Sequence, residues 1–87
     1  MSVIYKYVLT PECSIDMPKG AKILHLGNQN EQICLWVNAN QANEPERRHF
    51  TIVGTGITFD DESLNYIGTV QLHGREFVFH AFERVKV

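Results

Sequence analysis

Apolar and polar side chains alternate along most of this chain with the two-residue period of an extended strand, and nowhere with the 3.6-residue period of a helix. Residues 3–9 put Val3, Tyr5, Tyr7 and Leu9 on one side and Ile4, Lys6 and Val8 on the other, and Thr10-Pro11 ends the strand. Further strands are expected from Ala21 to Leu26, from Gln32 to Val37 and from Arg47 or Arg48 to Val53. Gly27 to Asn30 reads as a polar turn, and residues 12–20 as an irregular connection with a short extended piece at Cys13 to Met17. Residues 38–46, NANQANEPE, are polar and contain proline, the composition of a mobile loop. In ITFDDESLN, Thr58 and Asp61 have capping-box spacing, which predicts at most one short helical turn.

Residues 66–84 carry the strongest local signal, two strands joined at His73-Gly74. A two-residue loop would set Leu72 opposite Arg75, Val70 opposite Phe77, Gly68 opposite Phe79 and Tyr66 opposite Ala81. That register places Tyr66, Val70, Leu72, Phe77, Phe79 and Ala81 on one continuous apolar face. The other face, with Ile67, Thr69, Gln71, Glu76, Val78, His80 and Phe82, is half apolar and calls for cover from a further strand or a second subunit. The sum is an all-β fold: a small antiparallel sandwich, roll or partly closed barrel of about six strands. Open strand edges in so short a chain lead us to expect a homo-oligomer.

The 87 residues make one domain, 1–87, with room for a single core. A net charge of −2 argues against general nucleic-acid binding, which needs a basic surface. Cys13 and Cys34 are too few for the disulfide framework of a small secreted domain, so a reducing, cytosolic setting is expected. No apolar run has the length of a membrane span or the core of a signal peptide.

The candidate chemistry is sparse. Arg47 and Arg48, beside His49 and the polar loop, can form an anion site, and Lys19 and Lys22 can add to it. The Gly54-Thr55-Gly56 turn can offer backbone N–H groups to a phosphate, although a structural turn needing positive φ is the commoner reason for such glycines. Trp36 is either the centre of a second core or an interface anchor that can also stack on a base. His80, between Phe79 and Phe82, is expected to be a hydrogen-bonded packing residue. Asp60, Asp61 and Glu62 suit a helix N-terminus better than a cation site. His25, His49, His73 and His80 have no metal-ligand spacing, the cysteines form no CxxC pair, and Ser14 and Ser63 lack a nucleophile elbow. Neither a catalytic set, a metal nor a cofactor is expected.

Five phrases in order, MPKGAKIL (17–24), CLWV (34–37), GTG (54–56), YIGTV (66–70) and FVFHAFE (77–83), resemble a family of short uncharacterised proteins encoded by tailed bacteriophages. The likeness spans residues 4–84. It implies a non-enzymatic accessory protein of the host cytoplasm that counteracts a host defence. One form of that expectation is sequestration of a small anionic nucleotide signal in a homo-oligomer, held by Arg47, Arg48, Gly54, Thr55, Gly56, Lys19 and Trp36. The others are inhibition of a host defence or regulatory protein by direct contact, and a minor structural or assembly role in the particle.

Overall fold

The computed structural model describes residues 1–85. It contains seven strands and, among the described residues, no helix. They are β1 Ser2–Val8, β2 Glu12–Pro18, β3 Lys22–Gln29, β4 Gln32–Asn40, β5 Pro45–Gly54, β6 Leu64–Leu72 and β7 Phe77–Arg84. Two antiparallel sheets, β1-β4-β3 and β2-β5-β7-β6, pack as an open sandwich rather than a barrel. The shortest Cα extent of 15 Å fits two sheets about 10 Å apart.

Alternation builds the interior. Ile33, Leu35, Val37 and Ala39 of the central strand β4 face Met17, Phe50, Val70 and Ala81 of the larger sheet, and all are buried. Val3, Tyr5 and Tyr7 pack against this core while Ile4 and Val8 stay outside, as the pattern of residues 3–9 predicts.

Three sharp crossings carry the chain between sheets. Leu9 N still donates to Ile33 O at 2.8 Å, whereas Pro11 O already accepts from Ile52 N at 2.9 Å, so the first crossing happens at Thr10. The second passes through Gly20, whose φ of +81° suits glycine. The third uses only residues 41–44. There Asn43 N donates to Asn40 O and Asn43 Nδ2 to Lys19 O, which fastens it to the second crossing.

The structure corrects several expectations. The connection at 12–20 is largely strand β2, because Cys13, Ile15 and Met17 form an inward row. The expected loop at 38–46 is mostly strand, since β4 runs to Asn40 and β5 begins at Pro45. The turn expected at 27–30 lies at Asn30-Glu31, both at positive φ (54° and 61°), as a two-residue hairpin loop requires. The helical turn is absent: Asp60 accepts from Glu62 N at 2.9 Å in an irregular segment.

The final hairpin has a four-residue loop, with Leu72 opposite Phe77, Val70 opposite Phe79 and Gly68 opposite Ala81. This differs from the expected register by two residues, which leaves the side chains of residues 68–72 and 77–81 on their expected faces and the apolar pattern there unchanged. A bulge at Ile67 then turns Ile67 toward the core and Tyr66 outward against Phe82. Gly68 makes room for Leu26 of the facing sheet, whose Cδ2 would lie 3.4 Å from an added Cβ, and not for Phe79.

Candidate functional site

Strand geometry separates the two arginines. Register places Arg47 opposite Asp16 on the outer face of the larger sheet, while Arg48 turns inward at the rim of the core. Arg48 Nε and Nη2 donate to Glu83 Oε2 and Oε1 at 2.6 and 2.7 Å, and Nη1 donates to Ala21 O at 2.6 Å. The two side chains are only 14% and 21% exposed, and the hydrogen bonds to Glu83 raise the Arg48 guanidinium further above its ordinary value. Arg47, 65% exposed, donates to both Asp16 oxygens at 3.0 and 3.4 Å and thereby lowers the Asp16 carboxyl. His49 Nδ1 lies 2.6 Å from Ser14 Oγ, its direct cross-strand neighbour. This hydroxyl–imidazole contact is exposed, and it uses the ring nitrogen that an orienting carboxylate takes in a nucleophilic triad. The arginines border an open cleft of about 360 Å³ between Gly20-Ala21 and Arg84-Val85, which also contains Glu46 and Glu83.

The remaining residues of the expected anion site lie elsewhere. Gly54-Thr55-Gly56 closes the far end of β5, six residues beyond Arg48 and so roughly 20 Å away. There Thr55 N donates to Val78 O and Gly56 takes φ +86° in the turn. Lys19 sits in the second crossing, and its backbone N–H and C=O bond to Glu44 and Asn43. Trp36 is on the outer face of the other sheet. The seven residues do not form one pocket, because a ten-residue strand holds its ends apart and a sandwich turns its outer faces in opposite directions.

Those two outer faces differ in kind. On the larger sheet, the segment between β5 and β6 folds back, and Phe59 packs on Phe82 with ring centroids 5.2 Å apart. Beneath it, Val53 is buried. His80 is held between Thr55 Oγ1 on Nε2 (2.7 Å) and Thr69 Oγ1 on Nδ1 (2.9 Å), and Tyr66 OH bonds Thr69 in turn. His80 is the hydrogen-bonded packing residue that its neighbours suggest. The chain's own connection thus covers part of the half-apolar hairpin face, over Phe82, while Tyr66 and Phe59 stay exposed.

Among the described residues, no connection folds over the outer face of the β1-β4-β3 sheet. Ile4 and Val8 are 63% and 42% exposed, and Leu24, the extra residue of a bulge, is 52% exposed. Half-buried Trp36 stands at the centre, opposite Lys6 on one side and His25 on the other, with the His25 ring 5.7 Å away. Lys6 reaches across β4 to Gln29 Oε1 at 2.6 Å, above the buried Cys34. The indole is therefore on an open face and not in a second core. Sequence reading placed Ile4, Lys6 and Val8 on one side but missed that this side is exposed in the folded chain. The bulge at Leu24, which turns it outward, has no signature in its neighbours.

The molecule is an antiparallel sandwich with one partly self-covered outer face, one open outer face and two arginines paired within the chain. The chain belongs to the family described as a domain of unknown function, DUF7352, whose profile matches residues 1–87. Neither a curated protein nor a solved structure matches it significantly.

Proposed function

We propose that this protein is a non-enzymatic accessory factor of a tailed bacteriophage that acts in the host cytoplasm by binding and blocking a host defence or regulatory protein. The phage setting rests on the sequence resemblance. The choice of a protein target rests on one observation: Ile4, Val8 and Leu24 stand exposed around Trp36 on a sheet face over which no connection of the described residues folds, whereas Phe59 folds over part of the opposite face and leaves Tyr66 exposed there. Exposed apolar side chains gathered around a tryptophan are the usual makings of an interface core. Burying these three would contribute about 3–5 kcal/mol before the costs of association. A homo-oligomer joined along the open edges of β2 or β6 leaves this face free and gives each particle several of them.

Sequestration of a nucleotide is the second reading, favoured by the cleft beside Arg47 and Arg48. It is the weaker one, because both guanidinium groups already hold carboxylates.

The test is co-purification with the host target from phage-infected cells, comparing the wild type with Ile4→Glu/Leu24→Glu. Both positions are exposed, so the double variant is expected to keep the wild-type circular dichroism spectrum and lose the complex. A complex that survives the substitution removes this face from the function. A stoichiometric nucleotide mass in native mass spectrometry, lost in Arg47→Ala, would move the function to the cleft.

A further inference from the structure

Resting on the reading of the bare face as the binding surface, we infer that its partner is an acidic protein surface with an apolar centre. The three strands beneath that face, SVIYKYV, KILHLGNQ and QICLWVNAN, contain no aspartate or glutamate. The chain has ten such residues, and all lie on the other sheet or in connections. Glu31, in the turn between β3 and β4, is directed away: its Oε2 accepts from His73 N at 2.7 Å and lies 3.3 Å from His73 Nδ1, in the hairpin of the other sheet.

Both lysines of these strands point outward. Lys6 is opposite Trp36, and Lys22 is opposite Asn38, which is in turn opposite Ile4. The two lysines therefore arise from the two edge strands, with their Cα atoms about 12 Å apart across two strand spacings and one residue pair, and the Lys6 ammonium crosses β4 to Gln29. The amide of Gln29 holds Lys6 without neutralising it. With +2 on these strands, the rest of the chain carries −4, and Asp60, Asp61 and Glu62 sit in the connection that folds over part of the opposite outer face.

That charge pattern selects the occupant. Two copies docked through this face would bring four lysines together with no carboxylate between them, which costs free energy. A nucleic acid needs more cations than two, and around the Trp36 and His25 rings Ile4, Val8 and Leu24 offer a base nothing to stack on. Carboxylates around an aliphatic or aromatic centre satisfy both the lysines and the apolar side chains.

The experiment is an amide NMR titration of the full chain with defined probes. These are a synthetic 14-residue peptide alternating Glu/Asp with Leu/Phe, the same peptide with Lys at every acidic position, and a dT oligonucleotide. The acidic peptide is expected to shift the amides of residues 4–8, 22–25 and 34–38. Its affinity should fall at least about fivefold between 50 and 500 mM salt and at least about tenfold in Lys6→Glu/Lys22→Glu. The lysine peptide and the oligonucleotide are expected to leave these amides unmoved. Equal shifts with the lysine peptide would overturn the acidic assignment while leaving the face as a binding surface. If neither peptide moves the face, both the assignment and the protein-binding reading fail. Shifts with dT would make the face a nucleic-acid platform. Concentration-dependent shifts without any probe would make its occupant the acidic back of a second copy. Either of these outcomes overturns the proposal.

Discussion

Arg48→Met keeps most of the side chain's alkyl bulk and removes its charge, which isolates the role of the guanidinium. Four donated hydrogen bonds disappear: two to the Glu83 carboxylate, one to the Ala21 carbonyl and a weak one to the Met17 sulfur. The Glu83 side chain, 21% exposed, then stays at the sandwich rim without its counter-charge. Breaking a fully buried ion pair by deleting one partner costs about 3–5 kcal/mol. The residual solvent access of this pair reduces that to about 2–4 kcal/mol. For a domain of this size each kcal/mol moves Tm by about 4–8 °C, so a loss of about 3 kcal/mol lowers it by about 12–24 °C. Urea denaturation followed by Trp36 fluorescence measures the loss. Arg48→Met/Glu83→Met is the control, because removing both charges leaves no orphan. It should recover at least about 1 kcal/mol relative to the single variant, a coupling within the range for directly bonded pairs. Arg47→Met, at the exposed pair with Asp16, should leave the urea midpoint nearly unchanged. An Arg48→Met variant within about 1 kcal/mol of wild type, or additive effects of the two substitutions, would refute the structural assignment and return Arg48 to the candidate ligand groups.

Two further perturbations have defined outcomes. Asp16 is held below its ordinary carboxylate value chiefly by the Arg47 hydrogen bond, and Glu31 by the His73 backbone N–H and then the Asn28 amide. A carboxyl depressed in the folded state binds fewer protons there than when unfolded. Its contribution is therefore complete above the unfolded value and is lost as pH falls through the folded one, so urea midpoints should decline below about pH 5, and Asp16→Asn/Glu31→Gln should flatten that decline. Gly27→Ala would place a Cβ 2.8 Å from His25 Nε2, the movable end of a side chain, so His25 should swing away from Trp36 at a cost below about 1 kcal/mol. The near-ultraviolet circular dichroism of Trp36 should change with it; an unchanged spectrum would show that the imidazole does not pack on the indole.

The outlines of fold and site were legible to different degrees. Val3, Tyr5 and Tyr7, and Leu35 with Val37, announce their inward faces through simple alternation, and the structure uses them so. The hairpin loop was not legible, because two-residue and four-residue loops keep Val70, Leu72, Phe77, Phe79 and Ala81 on the same face. Strand β2 was obscured by the prolines that bound it, although its inward Cys13, Ile15 and Met17 kept the period. For the site, Arg47 and Arg48 were visible as cations, but their carboxylates, Asp16 and Glu83, lie 31 and 35 residues away along the chain. No local pattern names such partners.

What the sequence determined alone was the all-β class, the single core and the alternation that divides each strand into two faces, because a period of two is a property of the extended backbone. The absence of acids from SVIYKYV, KILHLGNQ and QICLWVNAN was also written there, without meaning by itself. The tertiary structure decided that those three segments are one sheet, that Phe59 folds over part of the outer face of the other sheet while Ile4, Val8 and Leu24 stay exposed on this one, and that the adjacent arginines turn apart to separate carboxylates. Strand pairing and layer order fix these relations between distant residues, and they are chosen by the packing of the whole chain.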